Sequence, residues 1–145
     1  MNGTILSIWI KRSHGGPMDN VESAELIAGH GIAGNANQGG RRQVTVISEE
    51  AWKDTLADLG ATVDPSARRA NVLVRGLDLE QSQEKTLRLG GCTIRLLGET
   101  RPCELMDEMK DGLRSALRPA WRGGAYGAVL EGGEIRVGDP AALSG

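Results

Sequence analysis

Two glycine pairs set inside short alternating runs constrain this chain more than any other feature. In "TLRLGGCTIRLLG" (86–98) and "YGAVLEGGEIRVGD" (126–139) apolar residues recur at every second position until Gly90-Gly91 and Gly132-Gly133 interrupt them. Period two marks a pleated strand with one buried face, and a glycine pair supplies the positive φ angles of a tight turn. Both stretches are therefore expected to be β-hairpins. Glycine is plentiful throughout, 21 of 145 residues, about twice the usual share, which suits many tight turns better than long helices.

The remaining segments agree with a strand-rich chain. "TILSIWIKR" (4–12) reads as a strand with Ile5, Ser7 and Trp9 on one face and Leu6, Ile8 and Ile10 on the other. "VESAELIA" (21–28) is a half-polar strand, and "RQVTVIS" (42–48) and "NVLVRG" (71–76) are two more. Ser48 reads as the N-cap of a helix over 49–60, with Glu49 and Glu50 in the first turn, where the helix dipole favours acids. Trp52, Leu56 and Leu59 form its apolar stripe and Gly60 its stop. "CELMDEMKDGLRSALR" (103–118) supplies one broken helix or two short ones. No long parallel strand–helix–strand unit is expected, which argues against a Rossmann-like sheet. The reading is a single domain over 1–145, mainly β (α+β): a curved sheet or barrel with two helical insertions. With no Phe, one Tyr and three Trp, its core must be built from Val, Ile, Leu and Ala.

Charge and cysteine usage narrow the function classes. A formal net charge of −2 gives no electrostatic reason to bind nucleic acid or an anionic membrane. No apolar run reaches the roughly 18 residues that span a bilayer, and "MNGTILSIWIKRSHGG" lacks the pattern of a secretory signal. A cytoplasmic protein with reduced thiols is expected. Cys92 and Cys103, with His14 and His30, show no close-spaced ligand pairs, so no zinc site is expected.

Three stretches carry candidate chemistry. Cys92 alternates with Ile94 and Leu96 and reads as core, whereas Cys103 follows Arg101-Pro102 at a joint before a helical run. Arg101 and a helix start both favour the thiolate form of Cys103, while Glu104, Asp107 and Glu108 oppose it. On spacing alone, Cys103 as an ordinary small packing residue is the stronger reading. The glycines of "GHGIAGNANQGGRRQ" (29–43) let main-chain N–H groups approach an anion, with Arg41 and Arg42 adding charge, although no nucleotide fingerprint is present. In "ARRAN" (67–71), Arg69 and Asn71 stand two apart at a strand entrance, where both can point the same way.

Taken in order, "HGGPM" (14–18), "GHGIAGN" to "GGRRQVTVIS" (29–48), "RRANVLVRGLDL" (68–79), "LRLGGCTIRLLGETRPC" (87–103) and "GGAYGAVLEGGEIRVGDP" (123–140) resemble the MOSC domain, the C-terminal domain of molybdenum cofactor sulfurases. The resemblance runs over roughly residues 3–142 and implies a β-barrel with a few short helices. It implies that Cys103, after Pro102, either carries sulfur as a persulfide or ligates molybdenum. It places the cofactor, molybdopterin-bound molybdenum, on Arg69 and Asn71, adds Ser48 at the end of the preceding strand, and matches Arg41 and Arg42 to the Gly-Gly-Arg segment. Many relatives carry Gly-Asp followed by Arg or His where this chain has Gly34-Asn35-Ala36-Asn37, so an acid and a histidine are missing. The separate N-terminal barrel of amidoxime-reducing relatives is also missing, leaving weak binding, a cofactor shared across a homodimer, or none. Three functions follow as expectations. The first is a sulfur carrier charged by a donor such as a cysteine desulfurase. The second is a molybdenum-dependent reductase of N-hydroxylated compounds served by a redox partner. The third is a non-catalytic binding module.

Overall fold

A computed structural model describes residues 2–145. Eleven strands and three helices follow in order: β1 (Asn2–Lys11), β2 (Met18–Val21), β3 (Ser23–Ile27), β4 (Gly31–Ile32), β5 (Val44–Ser48), α1 (Glu49–Leu59), β6 (Val72–Arg75), β7 (Thr86–Leu89), β8 (Cys92–Glu99), α2 (Leu105–Met109), α3 (Leu113–Leu117), β9 (Ala125–Glu131), β10 (Gly133–Arg136) and β11 (Pro140–Ser144). Short 3-10 turns cover Pro65–Arg68 and Pro119–Trp121. The strands are paired in the order β11-β7-β8-β9-β5-β6-β1, and β11 also pairs with β1, which closes a seven-stranded barrel with β2 attached to the edge of β1. Closure satisfies the main-chain groups that an open sheet would leave at its edges.

The core is aliphatic, as the shortage of aromatics requires. Ile5, Ile8, Val44, Val46, Val72, Val74, Leu87, Ile94 and Leu96 fill the barrel together with Cys92, all fully buried. A second sheet, β10-β3-β4, adds Ala24, Leu26, Ile32 and Ile135 to the same core. Strand β1 departs from strict alternation: its register against β6 shifts between Ile5 and Ser7. That bulge gives β1 one extra residue, so Ile5 joins Ile8 and Ile10 inside, while Leu6 and Trp9 pack outside with Ile47 and Leu73. The two faces read from the sequence are therefore correct only after the bulge.

Helix α1 forms as its sequence predicts. The Ser48 hydroxyl accepts the N–H of Ala51 at 3.1 Å, and Gly60 ends the helix in the left-handed conformation. Trp52 is buried, and with Leu56 and Leu59 it packs on Met106, Leu113 and Leu117 of α2 and α3, which proves the 103–118 segment to be two short helices. The α1 connection joins β5 to β6 in parallel, one strand–helix–strand unit where none was expected.

Of the two expected hairpins, one forms. Leu89 stands opposite Cys92 and β7 pairs with β8 antiparallel throughout. At Gly132-Gly133 the chain instead leaves the barrel: β9 pairs with β8 and β5, and β10 pairs with β3 in the second sheet. Both edges of β9 are already occupied, so the next strand cannot fold back on it. Gly132 is needed here for close approach, since a Cβ would collide with the Leu26 carbonyl of β3. Among the described residues no helix is long and apolar enough to cross a membrane.

Candidate functional site

Val44 and Val46 point into the barrel, so Thr45 between them points out, and it faces a cavity of about 170 Å³ beside the wall. The cavity lies where β1 and β8 run out and β6 is about to begin. Five cations line it, Lys11, Arg42, Arg68, Arg69 and Arg101, together with Cys103 and no carboxylate.

Arg68 defines the floor. It is only 5% exposed and its guanidinium meets no carboxylate; Nε donates to the Gly123 carbonyl at 2.9 Å, Nη2 to the Thr100 carbonyl at 3.0 Å, and Nη1 reaches Met106 Sδ at 3.7 Å. Burial pushes the guanidinium down to about 10; an ionised Cys103 opposes that shift and Arg42 adds to it. A Cβ on Gly123 would collide with the Thr100 carbonyl, which is one of the Arg68 acceptors, so this pocket for a buried cation requires glycine there. Thr100 also lines the cavity, and its buried hydroxyl has no hydrogen-bond partner.

The next residue, Arg69, adopts a left-handed conformation (φ 64°, ψ 35°), uncommon for a side chain with a Cβ. The turn separates the two neighbours: Arg68 is buried, while Arg69 lines the cavity and donates to the Gly16 carbonyl at 2.5 Å. Lys11 at the end of β1 is held below its ordinary value, first by burial and then by Arg69 and Arg42. These mutually repelling cations, brought together without acids, form a site arranged for an anion.

Asn71 lines the cavity, but its polar atoms are all engaged. Nδ2 donates to the Trp9 carbonyl (3.2 Å) and to Asn35 Oδ1 (3.1 Å), and Oδ1 accepts from the N–H (3.1 Å) and hydroxyl (3.2 Å) of Thr45. An amide has capacity for two donations and two acceptances, so Asn71 is saturated. Asn35 is likewise buried, and its Oδ1 also accepts the N–H of Lys11 at 2.9 Å. Asn35 thus supplies the acceptor that ties its loop to the end of β1 and to Asn71 just before β6, without placing a negative charge among the cations.

Cys103 is exposed and Cys92 is buried, and both are free thiols. The sequence pointed to Arg101 as the cation beside Cys103. Arg101 lines the cavity with Cys103 but is 84% exposed and lies 3.9 Å from Glu99, while Arg68 lines the same cavity as a buried cation. Helix α2 has five residues and its N-cap Glu104 makes no capping bond, so the helix start contributes little. Arg42 reaches both the cavity and a shallower groove with Arg41, Glu99, Arg101 and Tyr126, and stacks 5.3 Å above the Tyr126 ring. Arg41 lines the groove but not the cavity. Ser48 is not brought to this site: three residues beyond Thr45, about 10 Å along an extended strand, it caps α1 and lines a separate cavity with Glu50, Asp54 and Arg122. Sequence reasoning did not single out Arg68, Lys11 or Thr100. The doubled arginine in "ARRAN" was the available signal for Arg68.

The family model described as MOSC domain matches residues 11–142. The chain belongs to the MOSC domain family. A comparison with curated proteins finds no match. Among solved structures, the YuaD protein of Bacillus subtilis is similar at 20% identity, covering 99% of this chain and 96% of that one with a TM-score of 0.85. YiiM from Escherichia coli is similar at 15% identity, with 100% and 70% of the two chains covered and a TM-score of 0.76. YiiM from Geobacillus stearothermophilus follows at 16% identity, 99% and 75% coverage and a TM-score of 0.74. At these identities the likeness is one of fold. This MOSC domain thus shares the barrel of those proteins and comes from a family linked to the molybdenum cofactor.

Proposed function

We propose that this MOSC domain is a sulfur carrier in which Cys103 accepts sulfane sulfur and presents it to an acceptor held at the cationic cavity. The observation that carries the reading is an exposed free thiol at a cavity lined by five cations and no carboxylate. In the charging step the Cys103 thiolate attacks the outer sulfur of a donor persulfide, such as that of a cysteine desulfurase. A new S–S bond forms to Cys103, the donor's S–S bond breaks, and the donor cysteine departs as a thiolate with the proton count unchanged. In the discharge step a nucleophilic acceptor attacks the outer sulfur and Cys103 leaves as a thiolate. Arg68, a buried cation at the same cavity whose hydrogen-bond partners include no carboxylate, is placed to offset negative charge that develops there.

The same residues fit the anionic end of a molybdenum cofactor, which supports the reductase as a second reading. Cys103 is a soft ligand suited to the metal, and Lys11, Arg42, Arg68 and Arg69 would hold negatively charged oxygens. When bound, that group would supply two-electron redox chemistry, with this chain binding and orienting it and balancing its charge.

Intact-protein mass spectrometry after incubation with a cysteine desulfurase and free cysteine tests the carrier reading. A gain of one sulfur on wild type, absent from Cys103→Ser and removed by a thiol reductant, is the expected result. Equal labelling of the variant, or none on wild type, rejects it.

A further inference from the structure

The cavity beside Cys103 is small, deep in positive charge and free of acids, and those three properties select a class of sulfur donor. At about 170 Å³ it falls below the roughly 300 Å³ at which drug-sized ligands begin to be enclosed, and its volume suits a compact polyoxyanion. The floor holds Arg68, 5% exposed, whose hydrogen-bond partners are two carbonyls and a thioether and which thus lacks a counter-charge. The walls add Lys11, Arg42 and Arg69, the loop contributes the neutral amide of Asn35, and Thr100 holds a buried hydroxyl without a partner.

We infer that Cys103 can be charged directly by a small oxyanion that carries sulfane sulfur, with thiosulfate the simplest member, seated with its oxygens on the cations of this cavity. The inference rests on the carrier reading of Cys103 and names its donor. Thiosulfate is a dianion and the attacking group is a thiolate, so in open water the two repel. Several fixed cations offset that repulsion, and a single carboxylate among them would restore part of it. The Cys103 sulfur attacks the outer sulfur of thiosulfate. The S–S bond of thiosulfate breaks, a new S–S bond forms to Cys103, and the bonding pair leaves with sulfite. The products are the persulfide anion and the sulfite dianion. Total charge is conserved and no proton, oxidant or reductant is consumed. Charge moves from the outer sulfur onto the departing sulfite, whose oxygens rest on the cavity's cations, and fixed donors aimed at a developing anion act most strongly in such an enclosed setting.

The test compares two donors on the same protein. Wild type is incubated either with thiosulfate alone or with a desulfurase and cysteine, and intact mass and released sulfite are followed. With thiosulfate, wild type should gain one sulfur and release an equal amount of sulfite, while Cys103→Ser does neither. Lys11→Met and Arg42→Gln, each confirmed folded by its melting curve, should raise the half-saturating thiosulfate concentration about tenfold, the effect of losing one charge-assisted contact. Loading by the desulfurase without loading by thiosulfate overturns the inference and leaves the carrier reading standing. Failure of both donors overturns both. Loading by thiosulfate that ignores both cation variants overturns the placement of the oxyanion in this cavity.

Discussion

Replacing Asn71 by alanine separates two roles that the sequence could not, a ligand for the site's occupant and a tie within its wall. The side chain makes four hydrogen bonds, two of them to main-chain groups, the Trp9 carbonyl and the Thr45 N–H. Asn71 is 4% exposed, so water cannot readily replace what is lost. At about 1 kcal/mol net per bond, the change should cost about 4 kcal/mol, a large part of the 5–15 kcal/mol that holds a typical domain folded. For a chain of this length each kcal/mol moves the midpoint by about 3 °C, which predicts a drop of about 12 °C. Urea unfolding at constant m-value, beside a thermal scan, measures it. A variant that melts within about 2 °C of wild type and yet loses anion affinity would refute the reasoning and make Asn71 a ligand.

Three further perturbations test the charge arrangement. Asn35→Asp keeps the acceptor for Lys11 and Asn71 but sets a carboxylate among the cations; at neutral pH it should weaken sulfate binding by about 2 kcal/mol, roughly thirtyfold, as read by titration calorimetry. Sulfate at a hundred times its dissociation constant should stabilise wild type by about 2.7 kcal/mol, and Arg68→Met should lose most of that increment; equal gains in the two proteins would assign the effect to bulk salt. Glu49 is held below 4.5, first by the hydrogen bond from Arg75, so its contribution is present at neutral pH and fades as pH falls through the lowered value. Arg75→Gln should therefore raise the Glu49 carboxyl in an NMR titration, and because the pair is exposed and screened by solvent the melting temperature should scarcely change.

The features legible in the sequence are those set by neighbours a few residues apart. Ser48 as an N-cap, Trp52 with its stripe, and the turn at Gly90-Gly91 each depend on contacts within one turn or one hairpin. The pair at Gly132-Gly133 carries the same local signal and leads elsewhere, because partners for β9 were decided by strands dozens of residues upstream. The site divides in the same way. Cys103, Arg69, Asn71 and Arg42 were visible as chemistry-bearing types and the structure gathers them at one cavity. Arg68 was hidden because burial is a property of what surrounds a residue: its acceptors, Thr100 and Gly123, lie 32 and 55 positions away.

The barrel's closing seam has a consequence for biosynthesis. Strand β11 pairs with β7 on one side and with β1 on the other, and the β1 contact matches Asn2–Thr4 with Pro140–Ala142. A ribosome must therefore deliver nearly the whole described chain before the ring can shut. Until then β1 waits with part of one edge bare, a state open to pairing with strands of other molecules. Native pairs this distant in sequence make folding slow relative to helical proteins of equal size. Substitutions that weaken the last strand should accordingly reduce soluble yield in the cell more than they lower the melting temperature of the protein that does fold.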